Sequence, residues 1–180
     1  MDNKVIVIGA VAGGGKTTIT NHLVNCFTNA KALYFDDYDF DGPNDIISWV
    51  NNGADYNDWD LQPLLADVNV LKDRYRFIIV DYPFAYQNKQ LSPLIDLAVF
   101  IDTPLDIALA RRILRDDQNK LTEQIFTDLG HYLDAGRDGY TQMLKCIKPN
   151  SDVVINGCQS VKAITDEIIM HMMRSNVDHC

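Results

Sequence analysis

The chain has 180 residues, 47% hydrophobic and 23% charged, a size and balance that suit one folded domain with a sizeable core rather than two. A formal net charge of −9 argues against nucleic acid as a partner, although a local nest of backbone amides and a few arginines can still hold a phosphorylated small molecule. No apolar run is long enough for a membrane span or a signal peptide, and Cys26, Cys146, Cys158 and Cys180 form no CxxC pair, so the expectation is a reduced cytoplasmic protein.

The first element is Val5 to Ile8, a short continuous apolar run that reads as a strand covered on both faces. The turn Gly9-Ala10-Val11-Ala12-Gly13-Gly14-Gly15-Lys16-Thr17-Thr18 follows it, and apolar residues at near-helical spacing predict a helix from Thr17 to about Thr28. Ala10 to Thr17 matches glycine-x4-Gly-Lys-Ser/Thr, with alanine in the first position. Gly13, Gly14 and Gly15 permit dihedrals that a side chain would penalise, so successive N–H groups can converge on phosphate oxygens. The helix start adds its positive end. Gly13 to Thr18 are therefore the expected nucleotide-binding set. Lys16 would reach the β- and γ-phosphates of ATP, and Thr17 would offer its hydroxyl to Mg2+.

Ala32 to Phe35 predicts a second strand, ending in Asp36-Asp37-Tyr38-Asp39-Phe40-Asp41. Asn44 to Asn52 and Gln62 to Leu71 predict two helices. Phe77 to Val80 is a third strand with Asp81 directly after it. In an open parallel sheet the carboxyl ends of the strands share one ligand-binding edge, so these acids can meet the glycine turn. Asp81 is the candidate to organise magnesium. Asp36 or Asp37 is the candidate to accept a proton from an acceptor hydroxyl or to orient it. Tyr38 and Phe40 offer a flat wall for a base, or pack the core.

Leu97 to Ile101 predicts a fourth strand and Pro104 to Asp116 a helix. On that helix Arg112 and Arg115 lie three apart and can share a face toward phosphates. The residues after it, to about 125, would begin a lid that excludes water. Thr122 to about Lys148 predicts one or two helices, interrupted near Gly136 or Gly139, with Arg137 between them as another phosphate candidate. Val153 to Ile155 is a fifth strand, and Asn156 at its end is placed near the adenine. Ser160 caps a last helix. A patch on the late helices would serve equally a homo-oligomer or the core. The alternation predicts an α/β fold, a five-stranded parallel sheet sandwiched between helices.

AVAGGGKTT, YFDDYD, FIIVDYPF and LARRILRD together resemble the uridine kinase-like branch of the P-loop small-molecule kinases, over nearly the whole chain. The resemblance implies a P-loop nucleoside triphosphate fold in one kinase domain, residues 1–180. It also implies an acceptor-binding insertion at about 37–75 and a lid at about 115–125. The implied reaction moves the γ-phosphate of ATP, with Mg2+, to a hydroxyl of a small-molecule acceptor. A nucleoside such as uridine or cytidine is the first expectation. Pantothenate, a sugar acid, a nucleoside monophosphate, or a regulatory ATPase or switch are the alternatives. Lys16 and Thr17 would handle ATP and magnesium, Asp36 with Asp37 the acceptor hydroxyl, Asp81 the metal, and Arg112 and Arg115 the phosphates. The chain departs from that branch at Asp81-Tyr82, where Glu-Gly is usual, and at DDQNKLTEQ, where a second arginine-rich piece is usual.

Overall fold

The computed structural model of the chain describes residues 3–116 and 120–174. Residues 117–119 of the expected lid, and His179 and Cys180, lie outside the described residues. Among the described residues no helix is long and apolar enough to cross a membrane.

Five strands, β1 (Lys4–Gly9), β2 (Ala30–Tyr34), β3 (Phe77–Asp81), β4 (Leu97–Asp102) and β5 (Val153–Asn156), form one parallel sheet in the order β2-β3-β1-β4-β5. The register pairs Val7 with Val80 and Ala98, and Ile8 with Asp81 and Val99. The central strand is apolar from Val5 to Ile8 because both its faces are covered there, and the period of two divides those residues between two cores. Ile6 and Ile8 join Ile79, Val99 and Ile101 against Ile19 and Leu23 of α1 (Lys16–Asn25) and Ile164 and Ile168 of the C-terminal helix (Val161–Arg174). Val5 and Val7 join Ile78, Val80 and Phe100 against a second layer of helices and aromatic rings.

That second layer holds α2 (Ile46–Asn51), α3 (Gln62–Lys72) and α6 (Arg137–Cys146); α4 (Leu105–Asp116) and α5 (Thr122–His131) lie between β4 and α6 in the chain. The last helix is then α7. Asp45 caps α2, its carboxylate accepting the Ile47 and Ser48 N–H groups. Ser160 caps α7 through the Ala163 N–H.

Three boundaries differ from the sequence expectation. β2 stops at Tyr34, because Phe35 leaves the sheet to join an aromatic cluster and opens a 3₁₀ turn, Phe35–Asp37. α1 ends at Asn25 rather than near Thr28. The interruption near Gly136 is not a break: Tyr132–Gly136 is one π-helical segment that joins α5 to α6 without a loop.

Candidate active site

The carboxyl ends of the strands meet on one edge, and strand order reverses around β1, which is where an open α/β sheet leaves a crevice. The turn after β1 sits in that crevice. Gly13 and Gly15 have φ of 79° and 106°, which a side chain would strain. At Gly13 a β-carbon would also run into the Ala108 carbonyl of α4, so the glycine lets helix and turn touch. Gly14 donates to the Val11 carbonyl at 2.8 Å, and its own carbonyl accepts the buried Thr103 hydroxyl at 2.9 Å. The turn is thus locked from β1, β4 and α4 while the first N–H groups of α1 stay without intrahelical partners. A cleft of about 420 Å³ opens over Gly13 to Thr18 and runs on to Ile101, Gly157, Gln159, Val161 and Ile164, with Arg111 and Arg115 on its rim. Its floor of donors suits polyphosphate, and its apolar far end suits a base.

Asp81 stands at the end of β3 against this turn. It is buried, accepts the Thr17 hydroxyl at 2.6 Å, and lies 3.9 Å from the Lys16 ammonium. Burial pushes its carboxyl above the ordinary range; Lys16 and Thr17 pull it back, and Asp36 and Asp37 push it further up. A hydroxyl and a carboxylate are hard oxygen donors. With phosphate oxygens beside them, they fit a magnesium ion that keeps most of its shell outside the protein. Among the described residues no three acidic, histidine or cysteine side chains cluster as a metal cage, so the bound nucleotide would have to complete such a site.

The Phe35–Asp37 turn sends Asp36 into a second cavity, of about 490 Å³. The rings of Phe35, Trp49, Tyr56, Trp59 and Phe84 form its inner wall. They brace one another edge to face: Trp49 against Tyr56 at 5.2 Å, Phe35 against Phe84 at 5.4 Å and Trp49 against Trp59 at 6.3 Å. Ile46, Ile47 and Val50 of α2 and Asp134, Asp138, Gly139 and Tyr140 of the π-helical segment and α6 complete the lining, Val50 lying close to Gly139. Asp36 links the two cavities electrostatically. Asp116 chiefly raises Arg115 on the cleft rim and burial chiefly raises Asp81 beside the P-loop; the charge of Asp36 adds to both in the same direction.

Several expected residues sit elsewhere than their spacing suggested. Arg111 and Arg115, four apart, face the nucleotide cleft, whereas Arg112 turns to the other side of α4. There it donates to the Tyr140 hydroxyl at 2.8 Å and lies over the Tyr132 ring. Arg115 is held bidentate by Asp116 at 2.5 and 2.9 Å, and Arg111 donates to the Gly157 carbonyl. Asn156 is absent from the residues lining the cleft: its Oδ1 accepts the Cys158 N–H, and Gly157 and Gln159 take the lining positions. Tyr38 and Phe40 stack on each other, with the Tyr38 hydroxyl on Asp67, and neither lines the acceptor-sized cavity. Arg137 is exposed and lines neither cavity, whereas its neighbour Asp138 lines the aromatic one. Thr103 is not among the expected site residues, and Arg111 reads from the sequence mainly as a surface arginine of the same helix, yet both meet the cleft or its turn. The signal for Arg111 was the four-residue spacing to Arg115; for Thr103 no sequence signal existed.

No family model matches the chain. It is 26% identical to a uridine kinase of Staphylococcus epidermidis, an alignment covering 91% of this chain and 93% of that one. It is also 26% identical to a uridine kinase of Staphylococcus aureus, over 90% and 91%. Among solved structures, a shikimate kinase from Aquifex aeolicus superposes with a TM-score of 0.54 at 13% identity, covering 97% of this chain and 98% of that one. A gluconokinase from Sinorhizobium meliloti gives 0.55 at 14%, over 96% and 93%. The fold is that of the P-loop small-molecule kinases, and the sequence relatives are uridine kinases.

Proposed function

We propose that this P-loop kinase moves the γ-phosphate of ATP to a hydroxyl of a small, flat metabolite, a nucleoside such as uridine or cytidine being the first to try. The observation that carries the reading is Asp36, which lines an aromatic cavity from the turn after β2, at the same sheet edge as Asp81 and the P-loop.

The acceptor enters between the aromatic rings, which come largely from the segment at about 37–75, the acceptor-binding part of the domain. Its hydroxyl oxygen attacks the γ-phosphorus, the bond from that phosphorus to the β,γ-bridging oxygen breaks, and ADP leaves. Asp36 orients the hydroxyl and takes its proton; Asp37 is the adjacent group. Lys16 leaves Asp81 for the phosphate oxygens and, with Arg111 and Arg115, balances charge on the transferring group. Thr17 and Asp81 would hold magnesium, which supplies charge neutralisation on the phosphates.

Pantothenate, sugar acids and nucleoside monophosphates are anions. The second cavity presents Asp36, Asp134 and Asp138 and no lysine or arginine among its lining residues, which favours a nucleoside over all three. A regulatory ATPase would have no use for an acceptor-sized space beside its P-loop. The test is mass spectrometry of a metabolite panel incubated with Mg-ATP, with Lys16→Ala as control. A Lys16-dependent gain of one phosphate is expected, and Lys16→Ala should slow transfer by about 10²–10³-fold. ADP release that ignores every acceptor would overturn the reading.

A further inference from the structure

The second cavity has more charge than a proton acceptor needs. Asp36 accounts for the hydroxyl chemistry, which leaves Asp134 and Asp138 on the facing wall. They are four apart along the π-helical segment and α6, so they share one helical face. The neighbouring cation, Arg137, is not among the lining residues. No salt bridge engages Asp36, Asp134 or Asp138 among the described residues. The same cavity is lined by Trp49, Tyr56, Trp59 and Phe84, and aromatic ring faces carry negative potential. Rings and exposed carboxylates around one half-open cavity have a common preference. A neutral base gains stacking alone there, while a cation gains stacking, ring-face attraction and Coulomb attraction together.

We propose that the acceptor is a hydroxyl-bearing compound whose flat head group carries a positive charge, held between the aromatic wall and the Asp134–Asp138 face. This rests on the kinase reading of the same cavity and narrows it from nucleosides in general to cationic ones. The hydroxyl points to Asp36 and the nucleotide cleft, and the charged head fills the far end.

Trp49 and Trp59 are the chain's two tryptophans and both line this cavity, so intrinsic fluorescence reads its occupancy without ATP. The matched probes are N3-methylcytidine, a cation at pH 7, and 5-methylcytidine, neutral with the same added methyl. N3-methylcytidine should bind about tenfold more tightly, the gap narrowing as salt is raised. In Asp134→Asn/Asp138→Asn, with both substitutions at exposed positions, most of the gap should vanish. Equal or weaker binding of the cation by the unmodified protein overturns the proposal, as does a gap that survives the double substitution. Phosphorylation of both probes is followed separately by mass spectrometry. Preferential binding of the cation without transfer to either probe would keep the proposal and sink the kinase reading. Transfer to 5-methylcytidine with N3-methylcytidine excluded would do the reverse.

Discussion

Asp81 shows how a single side chain can be held at a cost to the fold. It is buried, its nearest cation is 3.9 Å away, and its carboxyl titrates above the ordinary range chiefly because of burial. A carboxyl raised in this way favours the folded state while protonated, and that contribution is lost as pH climbs from the ordinary value of 3.8 through the raised one. Asp81→Asn removes the buried charge. The variant should therefore melt higher than the parent at pH 7, by about 2–4 °C for each kcal/mol relieved. The gain should shrink as pH falls toward 3.8, where both proteins carry a neutral group. Phosphate transfer should fall in the same variant, and calorimetry across pH beside an activity assay checks both halves. The two acids after β2 make a second residue-scale prediction. Asp36 lines the acceptor-sized cavity and Asp37 does not. Asp36→Asn should lower kcat by about 10²–10⁴-fold, the range of a lost general base, and Asp37→Asn by much less. Similar losses in both would put the proton acceptor elsewhere.

Among the elements, the contact between the glycine turn and the β4–α4 corner matters most. Thr103 begins that corner, is buried, and donates its hydroxyl to the Gly14 carbonyl at 2.9 Å. It anchors the turn from the side opposite α1. Thr103→Val keeps the shape and removes the donor. It should cost about 1–3 kcal/mol, the range for stranding a buried acceptor, and raise the KM for ATP while leaving the KM for the acceptor near its starting value. Denaturant unfolding and two-substrate kinetics would show it. The π-helical segment Tyr132–Gly136 works on the opposite cavity. It carries α5 into α6 without a loop, so Asp134, Asp138 and Tyr140 reach one wall from a continuous helix. Arg112 braces that wall by donating to Tyr140, a structural use of an arginine whose spacing to Arg115 suggested a phosphate ligand.

For the molecule as a whole, the sheet divides its labour between two adjoining spaces. The nucleotide cleft takes its lining from the P-loop, α4 and α7, and the aromatic cavity from α2, α6 and the segments after β2 and β3. They share no lining residue, so substitutions should separate kinetically. Trp49→Ala removes a ring from the aromatic wall and should raise the KM for the acceptor about tenfold, the range for one lost stacking partner, with the KM for ATP changed less than twofold. A parallel rise in both would mean that the two spaces are mechanically one.

Much of this was legible in the chain alone. VIVI, FIIV and LAVFI mark strands covered on both faces, whereas VVI is equally apolar but forms the edge strand, with Val154 exposed. The P-loop is equally local: its function resides in backbone amides and two adjoining side chains, so a dozen consecutive residues specify it. What the chain could not specify are relations between distant segments. Whether Arg111 or Arg112 faces the nucleotide depends on the rotation of α4, which the Ala108–Gly13 contact sets. Whether Tyr38 or Trp49 meets the acceptor depends on where Phe35 leaves the sheet. The charge of the acceptor cavity arises only when residues about a hundred positions apart, Asp36 and Asp138, line one space. A local motif is determined by the chain's own geometry, whereas a binding cavity is determined by how its walls pack, and packing exists only in the tertiary structure.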